Sequence, residues 1–376
     1  MFDELASLAG DADRVFDRLA QHLASAGELH RLFELRLLQE RRRLGLALDR
    51  RTSLDDVDEP LRTQLETAYL AACREVGELC IEAGRLREAW MYLRPAGDKA
   101  ALRARLARVV LTDEQADELI ELSLFEGVDP ERGFAWLVGR QGTCSAITTL
   151  DGLEPQLAVD DVRTCAAVLV RHAYRELAGN LRGHWARLGG SAPASAGVRQ
   201  LVCDHPELQA GGSYHLDPSH LASAMRYGRL LHDGAVIELA LELAEYGARL
   251  PAELQYPGEP PFEDLYAAHQ RLFAALLGRD VDEALAYFGD KARVAPSAGE
   301  SSPALEAYVT LLARTGRPGE ALAAYAELAS PQQNFSRYAP TLLELAHQSG
   351  DWPTYAAICR DRDDLLGFAA GLVAGR

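Results

Sequence analysis

Long apolar runs, basic tracts, aromatic side chains and paired cysteines are all scarce in this chain of 376 residues, and each scarcity excludes something. Nowhere do about 18 uncharged apolar residues follow one another, so no membrane-spanning helix is expected. The first residues, Met1, Phe2, Asp3, Glu4 and Leu5, are acidic and lack the basic start and apolar core of a secretory signal. Six cysteines are spread thinly and none forms a C-x-x-C pair, which argues against a zinc knuckle or a dithiol redox motif. A reduced, cytoplasmic setting is the expectation. Lys and Arg number 39 against 56 Asp and Glu, a net charge of −17. The basic clusters are short, Arg41-Arg42-Arg43 and Arg50-Arg51, and on a helix successive arginines fan around the surface. Phosphate attraction needs concentrated positive charge, so neither nucleic acid nor an anionic membrane is an expected partner. Phosphate-loop, dinucleotide-binding and G-x-S-x-G patterns are also missing.

What remains is rich in Ala, Leu, Gly, Arg and Glu, a composition that favours helix. Val15, Phe16, Leu19 and Leu23 recur at helical spacing, Ala26-Gly27 interrupts, and Leu32, Leu35 and Leu38 resume. An acidic loop is expected at 52–60, with Pro60 opening a helix that carries Leu61, Leu65 and Tyr69. Cys73 and Cys80 lie two turns apart on one face of that helix and read as buried thiols. A short helix follows at 113–125 and a long one at 160–188. No run alternates with period two, so the expected fold class is all-α.

Four segments share one local grammar, a glycine, a charged residue and then a small residue early in the next helix. Ala89 follows Gly84 by five residues, Ala321 follows Gly316 by five and Ala284 follows Gly278 by six, while Gly350 leads into Trp352-Pro353-Thr354-Tyr355. Gly278, Gly316 and Gly350 are 38 and 34 residues apart. A glycine can take the left-handed conformation that ends a helix, and a small alanine lets the next helix approach closely. A period near 34 is that of a helix-turn-helix repeat. Over roughly residues 64–98 and 230–372 these segments resemble tetratricopeptide repeats, although the Trp, Gly and Tyr signature of the first helix is mostly missing. The resemblance implies antiparallel helix pairs stacked as an α-solenoid that binds a protein or peptide on its concave face. The expected organisation is an N-terminal helical array at 1–129, an irregular insert at 130–262 and C-terminal repeats at 263–376.

The insert gathers the chemistry. Six of the ten histidines, His172, His184, His205, His215, His220 and His232, fall between positions 172 and 232. His215, Asp217 and His220 form H-x-D-x-x-H, and imidazole with carboxylate suits a first-row divalent metal ion. His172 and Glu176, one helical turn apart, would complete the shell. A plainer reading competes with it. Asp217-Pro218 is a helix start, with Asp as the cap and Pro in the first turn. His184 falls on the apolar stripe of Val162, Leu169, Ala173, Leu177 and Leu188 and reads as a core residue, whereas His172 lies off that stripe. Cys144 sits in a turn, Gln141-Gly142-Thr143-Cys144, that leads into an apolar segment. At a helix N-terminus the thiolate would be favoured, and a nearby imidazole backed by the Glu176 carboxylate would make a nucleophile. Buried free thiols are the commoner outcome. The recurring repeats favour an interaction protein. The alternative is an enzyme acting on a small-molecule substrate through a metal or through Cys144.

Overall fold

The computed structural model describes residues 1–48, 57–294, 302–330 and 333–375. Arg50, Arg51 and most of the expected acidic loop lie outside them. Nineteen α-helices and no strand are found among the described residues. The chain forms two compact units, Met1–Trp136 and Leu137–Arg376.

The first unit contains α1 (Phe2–Ser7), α2 (Ala12–Ser25), α3 (Leu29–Arg43), α4 (Leu61–Glu82), α5 (Leu86–Leu93), α6 (Ala100–Leu106) and α7 (Ala116–Ile120), which runs into a single π-turn at Glu121–Phe125. From α1 to α6 each helix packs on the next, α4 also packs on α6, and α7 packs on the π-turn. The expected break between the first two amphipathic helices is at Gly27, with φ 69°. The core joins Leu23, Leu32, Leu35, Val76, Leu93 and Leu102. Cys73 and Cys80 are both buried, as their spacing on one face of α4 requires. Burial pushes the Cys80 thiol up to about 11, so it stays protonated at neutral pH.

α8 (Pro130–Leu153) carries the boundary between the units. The second unit continues with α9 (Val159–Arg187), α10 (Val198–Asp204), α11 (Pro218–Gly228), α12 (Gly234–Gly247), α13 (Leu265–Leu276), α14 (Val281–Val294), α15 (Pro303–Arg314), α16 (Pro318–Leu328), α17 (Leu342–Ser349), α18 (Trp352–Asp361) and α19 (Leu365–Ala374). Starts are set locally. Asp233, Asp264, Ser302, Thr341, Asp351 and Asp364 each accept a hydrogen bond from a free backbone N–H of the helix they open. Pro stands in the first turn of α11, α15, α16 and α18, where its missing N–H would be unpaired anyway.

From α11 onward successive helices pack antiparallel on one another, and α11 with α13, α13 with α15, α16 with α18 and α17 with α19 pack two places apart. The turn glycines Gly84, Gly278, Gly316 and Gly350 all have φ between 73° and 81°. Ala89, Ala284 and Ala321, which follow them, are fully buried, and Tyr355 occupies the matching place after Gly350. The turn after Gly278 is one residue longer, and Asp280 absorbs it at φ 48°.

The 29-residue α9 departs from neighbour-to-neighbour packing, because it touches α10, α11 and α12 together. Val162, Leu169, Ala173 and Leu177 of its expected stripe are fully buried. Leu188 is exposed instead, because the helix ends at Arg187 and Leu188 is its cap.

Candidate functional site

The expected site residues lie around α9, where three chain segments converge on its flank. The first is the break in α8. Gly142 has φ 82° and ψ 169°, a combination that a side chain opposes, so the helix stops there and restarts at Thr143. Thr143 is buried, and its hydroxyl donates to Glu176 Oε2 at 3.3 Å and lies 3.0 Å from His172 Nε2. His172 Nε2 is 3.5 Å from Glu176 Oε2. Burial lowers the pKa of His172, Arg175 and His220 lower it further, and Glu176 opposes the shift. The ring is neutral, and with the hydroxyl proton directed to Glu176 it is the His172 Nε2–H that donates to the Thr143 oxygen.

Cys144, one residue on, is exposed, so it is the Thr143 hydroxyl that meets the histidine and the carboxylate. The thiol is the conspicuous group in Gln141-Gly142-Thr143-Cys144, but the threonine is the residue turned inward. The helix break after Gly142 was the available signal, because it turns the first residue of the restarted helix inward.

The second segment is the loop before α11. Asp217 Oδ1 accepts from the Ser219 backbone N–H at 2.8 Å and from its hydroxyl at 2.6 Å. These bonds lower the Asp217 pKa, as expected for the capping reading. His220, in the first turn of α11, has a buried Nδ1 without a hydrogen-bond partner among the described residues.

The third group is a relay. His215 is buried at 8% exposure, its Nε2 2.8 Å from His184 Nδ1 and its Nδ1 3.1 Å from Tyr246 Oη. The His215 backbone N–H also donates to Tyr246 Oη at 2.9 Å, which directs the phenolic proton toward Nδ1 and leaves Nε2–H to donate to His184. Burial, with lesser repulsion from His184 and Arg187, brings the His215 pKa down to about 4, so the ring is neutral. His184 was expected in the core. It is half-buried, and its ring serves to satisfy His215.

Of the expected ligands, Asp217 and His215 are taken up by other partners, while His220 lies within electrostatic reach of both His172 and Asp217. The cap of α11 engages Asp217, and the relay between α9 and α12 engages His215. Among the described residues no three His, Cys, Asp or Glu side chains gather as a metal ion requires. His205 stacks on Trp185 with ring centroids 3.9 Å apart.

Two further features were not read from the sequence. Arg199 binds Glu245 at 2.7 Å and Glu238 at 3.0 Å, while its backbone N–H donates to Glu242, tying α10 to α12. In the first unit an open groove of about 480 Å³ runs along α3 and α4. Ala68, Ala71 and Ala72 form part of its lining, and Arg36, Glu40, Arg43 and Glu75 are among its polar walls, with Arg36 paired to Glu75 at 2.6 Å.

No family model matches the sequence, and no curated protein matches it significantly. Among the described residues no helix is long and apolar enough to cross a membrane.

Proposed function

We propose that the protein is a helical-repeat interaction module of tetratricopeptide type, whose function is to hold a protein or peptide partner. The observation that carries this reading is the repeated turn, in which Gly84, Gly278, Gly316 and Gly350 share one left-handed conformation and Ala89, Ala284 and Ala321 are buried at the next helix start. Packing between helices two places apart supports it, because stacked pairs in such arrays touch in that register. The α3–α4 groove suits a partner segment, since small alanines permit close approach and the polar walls offer both charge signs. The charge of −17 favours a neutral or basic partner.

Selection of a displayed random peptide library on the intact protein tests this. Enriched peptides should lose at least about tenfold in affinity, or about 1.4 kcal/mol, when Ala68→Arg and Ala71→Arg fill the groove. Failure to enrich any peptide, or equal binding by the variant, overturns the reading.

A second reading, an enzyme, rests on Thr143, His172 and Glu176 at the break in α8. A neutral imidazole beside a hydroxyl and a carboxylate has the parts of a nucleophilic site, with Cys144 as the exposed group beside it. It requires Cys144 to react with iodoacetamide faster than the similarly exposed Cys203, and His172→Gln to remove the difference. Equal rates dismiss a reactive thiol here.

A further inference from the structure

α19 is an apolar helix that is almost wholly uncovered. From Leu365 to Ala374 it contains no charged or polar side chain, yet Leu365 is 76% exposed, Leu366 86%, Leu372 58% and Val373 78%. Gly367, Phe368 and Gly371 face inward. Tyr355 donates to the Gly367 carbonyl at 2.9 Å and its ring lies against Gly371, while Arg360 stacks 4.7 Å over Phe368. At about 100° per residue, Leu372, Leu365, Ala369, Val373, Leu366 and Ala370 fall in one arc of about 160°. Small Ala369 lies toward the middle of the arc with large apolar side chains on either side, a surface shaped to receive another helix at close range. Among the described residues nothing covers it.

We propose that a second copy of this chain docks there, α19 against α19, in an antiparallel two-fold pair. The exposed Leu365, Leu366, Leu372 and Val373 amount to roughly 500 Å² of apolar surface per copy, so a symmetric pair buries at most about 1,000 Å², the size of a weak, concentration-dependent interface. The roughly 500 Å² on one copy lies in the upper part of the range for the largest apolar patch on a monomer, about 300–600 Å². Charge selects the direction. Asp361, Asp363 and Asp364 precede the helix and outnumber Arg360, which stacks on Phe368, and Arg362, which turns away to the Gln333 carbonyl. A parallel pair would set them side by side, whereas an antiparallel one separates them by the helix length of about 15 Å, beyond the screening distance of about 8 Å at physiological salt. Antiparallel packing also opposes the two helix dipoles. Because the interface is isologous, it closes at two copies.

Sedimentation velocity of the full chain at about 50 µM decides the matter. The expected mass is twice 41.0 kDa, and Leu366→Glu with Val373→Glu should return it to 41.0 kDa with unchanged helix content by circular dichroism. If that pair of changes impairs folding, Ala369→Arg alone, at the middle of the arc, should give the same dissociation. A wild-type protein that stays at 41.0 kDa, assembly that continues past two copies, or folded variants that pair like wild type each overturn the proposal.

Discussion

Replacing His215 by Gln tests the electrostatics of the second unit most directly. Gln is neutral at every pH and retains an amide able to bond to His184. In the folded protein His215 is held from the ordinary 6.5 down to about 4, with burial as the main cause. Between those values the unfolded chain takes up a proton that the folded chain refuses. The stability associated with neutral His215 is therefore complete above pH 6.5 and is lost progressively as pH falls toward 4. The full difference is about 3 kcal/mol, and about 2 kcal/mol once partial access of water at His184 is allowed for. His269, stacked on Phe262 and also neutral, is present in both proteins and cancels. At pH 7 the variant should be less stable by about 1 kcal/mol, the worth of the lost Tyr246 bond. By about pH 4.5 that deficit should vanish or reverse, a relative change of about 2 kcal/mol. Denaturant unfolding of the two proteins at both pH values measures it, and the imidazole resonance missing from the variant should not titrate above about pH 5 in wild type. A stability gap that does not change with pH would refute a neutral buried His215.

Three further outcomes follow from particular positions. Gly142→Ala should destabilise by about 1–3 kcal/mol, because its φ and ψ suit glycine alone, and a melting temperature equal to wild type would mean that the break in α8 is not held. Ala321→Leu should cost about 1–3 kcal/mol by overpacking a fully buried helix start, whereas Ala323→Leu, exposed on the same helix, should lie within about 0.5 kcal/mol of wild type; equal effects would remove the repeat turn's packing role. Under native conditions an excess of alkylating reagent should label Cys144 and Cys203, leaving Cys73, Cys80, Cys165 and Cys359 for the unfolded protein. Mass spectrometry showing early labelling of any of those four would contradict their burial.

The helical class and the turns are legible in the residues alone, because these depend on residues close in the chain. Glycine's tolerance of a left-handed backbone marked Gly84, Gly278, Gly316 and Gly350, and Asp217-Pro218 announced a helix start, all of which can be read within a few residues. Periodicity also identified the buried stripe of α9 as far as Leu177, failing at His184, which is half-buried, and at Leu188, where the helix had already ended. Which polar groups meet was decided by tertiary structure alone. Thr143 reaches His172 only because α8 breaks and lies against α9, and His215 finds His184 and Tyr246 from helices 31 residues away in either direction. Spacing within H-x-D-x-x-H places His215, Asp217 and His220 close in the chain, yet Asp217 serves the helix cap and His215 the relay, since side-chain direction at a helix start is set by packing and not by adjacency. The exposure of α19 is equally invisible from its letters. An apolar helix is expected in a core, and only the fold reveals that its widest face is bare.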